Sequence, residues 1–97
     1  MPNQWLFSDP SNVAVLTTRK VTEQLAPILL VCHDLGDGAW QFHTNQGMLG
    51  DEPKIVSLER VVELDPSLQA LYDLPLGWAA KRDSVHTTWI RFPQETH

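Results

Sequence analysis

Residues 28–44 read ILLVCHDLGDGAWQFHT, and the rest of the predicted fold is built outward from them. Residues 28–33 follow Pro27 as a run with apolar side chains at both odd and even positions, which predicts a strand buried on both faces. Residues 34–39 contain two glycines and two aspartates, which is typical of a tight turn because glycine adopts positive φ without steric cost. Residues 40–44 return as a strand with aromatic side chains on one face. The whole stretch therefore predicts a β-hairpin.

The register of this hairpin follows from its turn. A symmetric loop centred on Gly36-Asp37 sets three cross-strand pairs: His33 with Trp40, Val31 with Phe42, and Leu30 with His43. Because side chains alternate along a strand, one set of apolar residues then shares a face. This face is the predicted core of the sheet: Leu29, Val31, Trp40 and Phe42.

Turn and cap signals place the remaining elements. Further strands are predicted at residues 13–18, 54–56, 78–82 and 87–92, the last two forming a second hairpin. Ser57 can cap a helix that carries Leu58, Val61 and Val62, and Asp65-Pro66 is the start signal of a second short helix. Residues 19–25 are ambiguous, and a single helical turn is one option for them.

Two hairpins that flank a pair of helices are typical of an α+β fold. We expect a mainly antiparallel sheet of about five to six strands, with two short helices packed on one face. The 97 residues, with a mass of 11.0 kDa, suffice for one domain with one modest core. Within this single domain, 1–97, residues 1–12 read as an irregular arm and residues 94–97 as a frayed tail.

Charge and composition exclude several classes of function. Twelve acidic against seven basic side chains give a net charge of −5 at pH 7, whereas a nucleic-acid binder needs a basic face. The longest apolar run, residues 26–32, is far too short to span a membrane, and the N-terminus lacks the pattern of a secretory signal. The single cysteine, Cys32, suits a reducing compartment. We therefore expect a cytoplasmic protein that binds neither nucleic acid nor membrane.

Catalytic, metal and cofactor motifs are missing from the sequence, and we expect none of these sites. Zinc-type pairs, the spacing of a calcium loop, phosphate-binding glycine motifs and a nucleophile elbow do not occur. Cys32 and His43 fall on the same face of the hairpin, so a nucleophile–base pair is geometrically possible. The alternative is a buried structural cysteine beside a half-exposed histidine, and we prefer it.

The residues that could contact a partner are acidic loop side chains and tryptophans. The predicted partner-binding residues are Asp34, Asp37, Asp51, Glu52, Trp5 and Trp89. The four carboxylates lie in loops, where a solvated acidic surface can attract a basic protein. Trp5 lies on the arm, where it can contact either the core or a partner, and Trp89 on the second hairpin can be either a core residue or a binding anchor.

Two segments together resemble the immunity-protein-33-like family, a group of small bacterial domains. The matching stretches lie within residues 28–83: Asp37-Gly38-Ala39-Trp40-Gln41-Phe42, Val56-Ser57-Leu58, Asp65-Pro66-Ser67-Leu68, Leu71 and Leu74-Pro75-Leu76-Gly77-Trp78-Ala79-Ala80-Lys81-Arg82. One departure is Ala39, where the family usually has glycine. The resemblance implies a cytoplasmic antidote that binds a toxin, with no enzymatic activity and no cofactor.

Three hypotheses about function follow. The first is a non-enzymatic protein-binding domain, of the immunity type, that neutralises a bacterial toxin. The second is a structural or regulatory module that forms a homodimer through an exposed strand edge. The third is a hydrolase that uses Cys32 and His43.

Overall fold

The computed structural model of the protein describes residues 5–44 and 51–95. Within these ranges six strands form one sheet: β1 (Ala14–Thr18), β2 (Leu30–His33), β3 (Trp40–His43), β4 (Pro53–Ser57), β5 (Trp78–Lys81) and β6 (Ile90–Pro93). Three short helices accompany them: α1 (Arg19–Thr22), α2 (Leu58–Leu64) and a 3₁₀ helix (Pro66–Leu71). The order of strands across the sheet is β4-β1-β3-β2-β5-β6. The fold is therefore α+β, and six strands lie within the predicted number.

The predicted hairpin register is confirmed. All three predicted pairs between β2 and β3 are present, and Cys32 lies opposite Gln41. The turn is closed by hydrogen bonds from the Asp34 amide to the Ala39 carbonyl (2.8 Å) and from the Gly38 amide to the Asp34 carbonyl (3.0 Å). Gly38 has a φ of 72°, the left-handed conformation for which glycine is favoured.

The core face of the hairpin is also confirmed, with one exception. Val31, Trp40 and Phe42 are at most 2% exposed. Leu29 is only partly buried, because it precedes β2 and lies at the end of the sheet.

The sheet is mixed rather than mainly antiparallel. β1 runs parallel to β3, with Leu16 opposite Gln41, while the other four strand pairs are antiparallel. The parallel pair arises because the chain leaves β1 through α1, passes over one strand position to form β2, and returns as β3 into the gap. Alternation within a strand specifies its faces but not which distant strand will be its neighbour, so the sequence pattern could not supply this arrangement.

The two predicted helices begin where their caps predict. The Ser57 hydroxyl accepts a hydrogen bond from the Arg60 amide (3.1 Å) at the start of α2. The Asp65 carboxylate accepts one from the Ser67 amide (3.1 Å), but the element that follows is a 3₁₀ helix rather than an α-helix. Both helices contribute apolar residues to the buried core cluster, among them Leu58, Val61, Leu68 and Leu71.

Two ambiguous or misplaced boundaries have local causes. Residues 19–25 contain only the one-turn helix α1, which ends as Gln24 adopts a φ of 58°. The last strand starts at Ile90 instead of residue 87, since the Thr87 hydroxyl accepts hydrogen bonds from the Asp83 and Ser84 amides (both 3.1 Å) and holds those residues in a turn. The strand also includes Pro93, which an edge strand tolerates.

The described part of the N-terminal arm docks on the core. Phe7 is 5% exposed and meets the Trp40 ring edge-on, with centroids 5.3 Å apart. The Trp40 indole N–H donates a hydrogen bond to the Asp9 carboxylate (2.7 Å). Residues 1–4 of the predicted arm and residues 96–97 of the predicted tail lie outside the described residues.

Candidate functional site

The two faces of the sheet have different surroundings. On the core face, Val15, Val31, Phe42 and Ala80 join the buried cluster to which the helices contribute. The opposite face is called the outer face here. One row of directly paired residues crosses the outer face through all six strands: Ile55, Leu16, Gln41, Cys32, Ala79 and Phe92. Gln41 is the only polar residue in this row, and Ala79, at 1% exposure, is its only fully buried member.

The outer face is apolar yet partly open. Ile55 is 68% exposed on the edge strand β4 and Ile90 is 59% exposed on the edge strand β6. Between these edges Leu16, Leu30 and Phe92 are only partly buried. A sheet with one solvated face normally presents polar side chains to water. The apolar residues at both odd and even positions of β2 predicted that both faces of this strand are buried. Val31 on the core face is fully buried, whereas Leu30 and Cys32 on the outer face are only partly buried.

A polar line crosses the middle of the outer face. The Gln41 amide N–H donates a hydrogen bond to the Asp34 carboxylate (2.6 Å), and the Gln41 carbonyl oxygen lies 2.9 Å from His43 Nε2. Because an ionised carboxylate only accepts, the Gln41 carbonyl is left to accept from His43, which fixes the N–H of His43 on Nε2. His43 is 3% exposed, and its Nδ1 has no hydrogen-bond partner among the described residues.

We expect the protein to lose stability as the pH falls from about 7 to about 5, and a His43→Gln variant to lose less over the same range. Burial lowers the pKa of His43 below its ordinary value of 6.5, against the opposing effect of the Asp34 charge. The unfolded chain therefore takes up a proton at a higher pH than the folded chain, and the free energy of unfolding decreases on acidification. Urea unfolding at stepped pH measures the slope. Equal slopes for the two proteins would show that another group is responsible.

Cys32 lies next to this polar line. Among the described residues no hydrogen bond joins Cys32 to His43, which lies diagonally across the β2–β3 ladder. Burial, together with the negative charge of Asp34, raises the pKa of the Cys32 thiol to about 11. The thiol is therefore protonated at neutral pH, the opposite of what a cysteine nucleophile requires.

Folded protein is expected to react with iodoacetamide about 100-fold more slowly than the urea-unfolded chain at the same mildly alkaline pH. Only the thiolate reacts, and a pKa raised from 9.0 to about 11 reduces the thiolate fraction by that factor. Mass spectrometry of quenched samples gives both rates for Cys32. Faster labelling in the folded state would point to an activated thiol and would revive the hydrolase hypothesis.

The four predicted acidic residues do not form one cluster. Asp34 and Asp37 lie at the β2–β3 turn, where the Asp37 carboxylate accepts a hydrogen bond from the Ala39 amide (3.0 Å). Asp51 and Glu52 precede β4, which pairs with the last residues of β1. Since β1 runs parallel to β3, these two positions lie at opposite ends of the sheet.

The two acidic ends have different surroundings. Asp34 binds the Gln41 side chain, which is part of the outer row. At the other end, the Thr18 hydroxyl followed by the Glu52 and Lys20 amides holds the pKa of Asp51 below its usual value. Glu52 forms an ion pair with Lys54 (2.6 Å), which lowers the pKa of its carboxyl group. The acidic charge that borders the apolar row is therefore that of the Asp34 end, since the other two carboxylates lie beside Lys20 and Lys54.

The two predicted tryptophans have different positions. Trp5 is half-buried, donates its indole N–H to the Asp9 carbonyl (2.7 Å), and contacts Phe7 with centroids 5.5 Å apart. Trp89 is also half-buried, and the Arg82 guanidinium lies 4.1 Å from the centre of its ring. Trp89 therefore packs on a structural cation, while Trp5 lines a surface groove beside α2.

Sequence reasoning missed the outer row and the role of Arg82. Leu16, Leu30 and Ile55 looked like ordinary strand residues, and only the strand order places them on one surface. Arg82 followed an alanine-rich strand without any motif, although its side chain is 3% exposed. The one sequence signal was its even spacing from Ala80, which places Arg82 on the core face of the strand, whereas Lys81 faces the other way.

No protein-family model, curated protein or solved structure matches the chain. The resemblance to the immunity-protein-33-like family therefore stays a prediction. Within residues 5–44 and 51–95, no group of three or more histidine, cysteine or carboxylate side chains is placed to hold a metal ion. None of the helices in these ranges has the length and hydrophobicity needed to cross a membrane.

Proposed function

We propose that the protein is a non-enzymatic protein-binding domain of the immunity type, whose outer face docks a basic protein. The observation that carries this proposal is the row of residues across the six strands, in which five of six side chains are apolar and only Ala79 is fully buried. Ala79 is 1% exposed, so the accessible apolar surface lies toward the edge strands, at Ile55 and Ile90. The half-buried Leu16 and Phe92 extend it inward. Apolar side chains left open to water on one face of a small domain favour an interaction site, because their exposure costs free energy. We place α2 and the 3₁₀ helix together on the other face of the sheet, which leaves this one for a partner.

The charge distribution supports a basic partner. The chain carries a net charge of −5. Asp34 and Asp37 lie at one end of the outer face, whereas Asp51 and Glu52, at the opposite end of the sheet, lie beside Lys20 and Lys54. Negative charge at the Asp34 end attracts a positively charged surface and sets its orientation, while the apolar side chains supply the affinity. This arrangement fits a basic toxin that acts on nucleic acid in the cytoplasm.

A homodimer is the alternative, and the strand edges bear on how it would form. The edge strand β4 begins with Pro53 and Lys54, and the edge strand β6 contains Arg91 and Pro93. Proline lacks an N–H donor and charged side chains oppose stacking, so both edges are protected against strand-to-strand pairing. A homodimer would therefore use the outer face itself.

The test combines the protein with the toxin encoded beside its gene and measures binding by calorimetry. We expect Ile55→Lys with Ile90→Lys to weaken binding at least about tenfold. Leu25→Lys with Leu76→Lys is a matched control, because these leucines are 64% and 50% exposed and lie off the outer face. Equal effects of the two pairs, or no binding by the unaltered protein, would contradict the proposal. Sedimentation at several concentrations distinguishes the homodimer, which would dissociate in the first variant alone.

A further inference from the structure

A second surface feature lies on the helical side of the molecule. A groove of about 670 Å³ runs between the N-terminal arm and α2, a volume typical of ligand sites. Its walls are mostly apolar and include Trp5, Leu6, Val62 and Pro66. None of these residues lies on the outer face, so this groove is separate from the surface discussed above.

The rim of the groove is negatively charged. Glu59 and Glu63 line it one helical turn apart on α2, and both are exposed. Glu63 is only 3.9 Å from the exposed Arg60 side chain, a geometry that contributes little in water. Glu59 has no ion pair within the described residues. Both carboxylates can therefore attract a cation from outside the chain.

An unused acceptor lies in the same groove. Gln69 is one of its lining residues, and its side-chain carbonyl oxygen is buried without a hydrogen-bond partner among the described residues. Buried polar atoms are normally paired, because an unpaired one loses its hydration without compensation. Because this oxygen is shielded from solvent, a donor on a bound segment reaches it only after the Gln69 side chain turns toward the groove.

We infer that this groove binds a linear segment of a protein partner, in which a large apolar side chain is flanked by lysine or arginine. The groove is open to solvent and has room for one or two side chains, so it suits an extended or helical segment rather than a folded domain. The apolar side chain packs on Trp5 and Leu6, and the basic side chains pair with Glu59 and Glu63. This inference does not depend on the outer face, so either site can be tested without the other.

The probe is a fluorescein-labelled peptide in which a Leu-Phe pair has two lysines before it and two lysines after it. The comparison peptide has glutamate in place of each lysine. We expect the lysine peptide alone to bind, by fluorescence anisotropy at low salt, and to shift the Trp5 indole signal in a proton–nitrogen NMR spectrum. Glu59→Lys with Glu63→Lys should weaken binding at least about tenfold. Leu6→Ser should weaken it as well while the charge stays the same.

The matched control is Glu23→Lys with Asp83→Lys. It changes the net charge equally, and Glu23 resembles Glu63 in having an exposed arginine partner, Arg19. We expect less than about a threefold effect from this control. Equal weakening by both pairs would mean general attraction to an acidic protein and would overturn the inference, as would equal binding of the glutamate peptide or no binding. Circular dichroism melting confirms that each variant is folded.

Discussion

Replacement of Arg82 by alanine is expected to lower the free energy of unfolding by about 4 kcal/mol. The guanidinium is 3% exposed and pairs with the Asp65 carboxylate at 2.6 Å. It also donates two hydrogen bonds to the Ile28 carbonyl (3.1 and 2.8 Å) and one to the Ser67 hydroxyl (3.1 Å). With Trp89 stacked on its face, one side chain ties β5 to the start of β2, to the cap of the 3₁₀ helix and to the C-terminal turn. Its removal leaves the Ile28 carbonyl without its side-chain donor and the Asp65 carboxylate without its counter-charge, although Asp65 keeps the hydrogen bonds from Ser67.

The matched control for this prediction is Arg91→Ala. Arg91 pairs with Asp73 at the same distance, 2.6 Å, but the two side chains are 34% and 55% exposed. Exposed pairs contribute at most about 1 kcal/mol, since water competes for both charges. Urea unfolding of both variants at one temperature, monitored by tryptophan fluorescence, gives the difference between their free energies of unfolding. Similar losses in the two variants would mean that burial of the Arg82 pair has no special energetic role.

The hairpin and the helix caps could be predicted because their information is local. The register of β2 and β3 depends on the turn at residues 36–38. Helix α2 starts directly after Ser57, because the Ser57 hydroxyl accepts a hydrogen bond from the Arg60 amide three residues on. Interactions of this kind involve neighbours in sequence, so residue type and spacing specify them.

The outer row and the Arg82 network could not be predicted, because both depend on contacts between distant residues. Leu16 meets Gln41 only through the parallel pairing of β1 and β3, and Arg82 meets Ile28 across 54 positions of chain. The four acidic residues illustrate the same limit. Their types suggested one acidic surface, whereas the strand directions place them at two opposite ends of the sheet.

Trp40→Ala is expected to cost about 4 kcal/mol of unfolding free energy, and Trp40→Phe about 2 kcal/mol. The Trp40 side chain is 2% exposed, stacks on His33 with centroids 3.9 Å apart, and meets Phe7 on the arm. Alanine removes all of these contacts, whereas phenylalanine keeps a ring in the core but loses the hydrogen bond to Asp9.

The phenylalanine variant also tests how much the hydrogen bond from Trp40 to Asp9 contributes to holding the arm against the core. Without the bond from Trp40 to Asp9, the arm keeps the packing of Phe7 but loses its charged anchor, so the groove lined by Trp5 should form less completely. We therefore expect Trp40→Phe to weaken binding of the lysine peptide by about threefold or more. Urea unfolding measures the loss of stability in the same variant. Trp78→Phe is the control. Trp78 is half-buried, and within the described residues its hydrogen bonds outside the strand pairs go to Pro75 and Gln94, not to the arm. Unchanged peptide binding by Trp40→Phe, beside a normal loss of stability, would show that the arm holds its position without this bond.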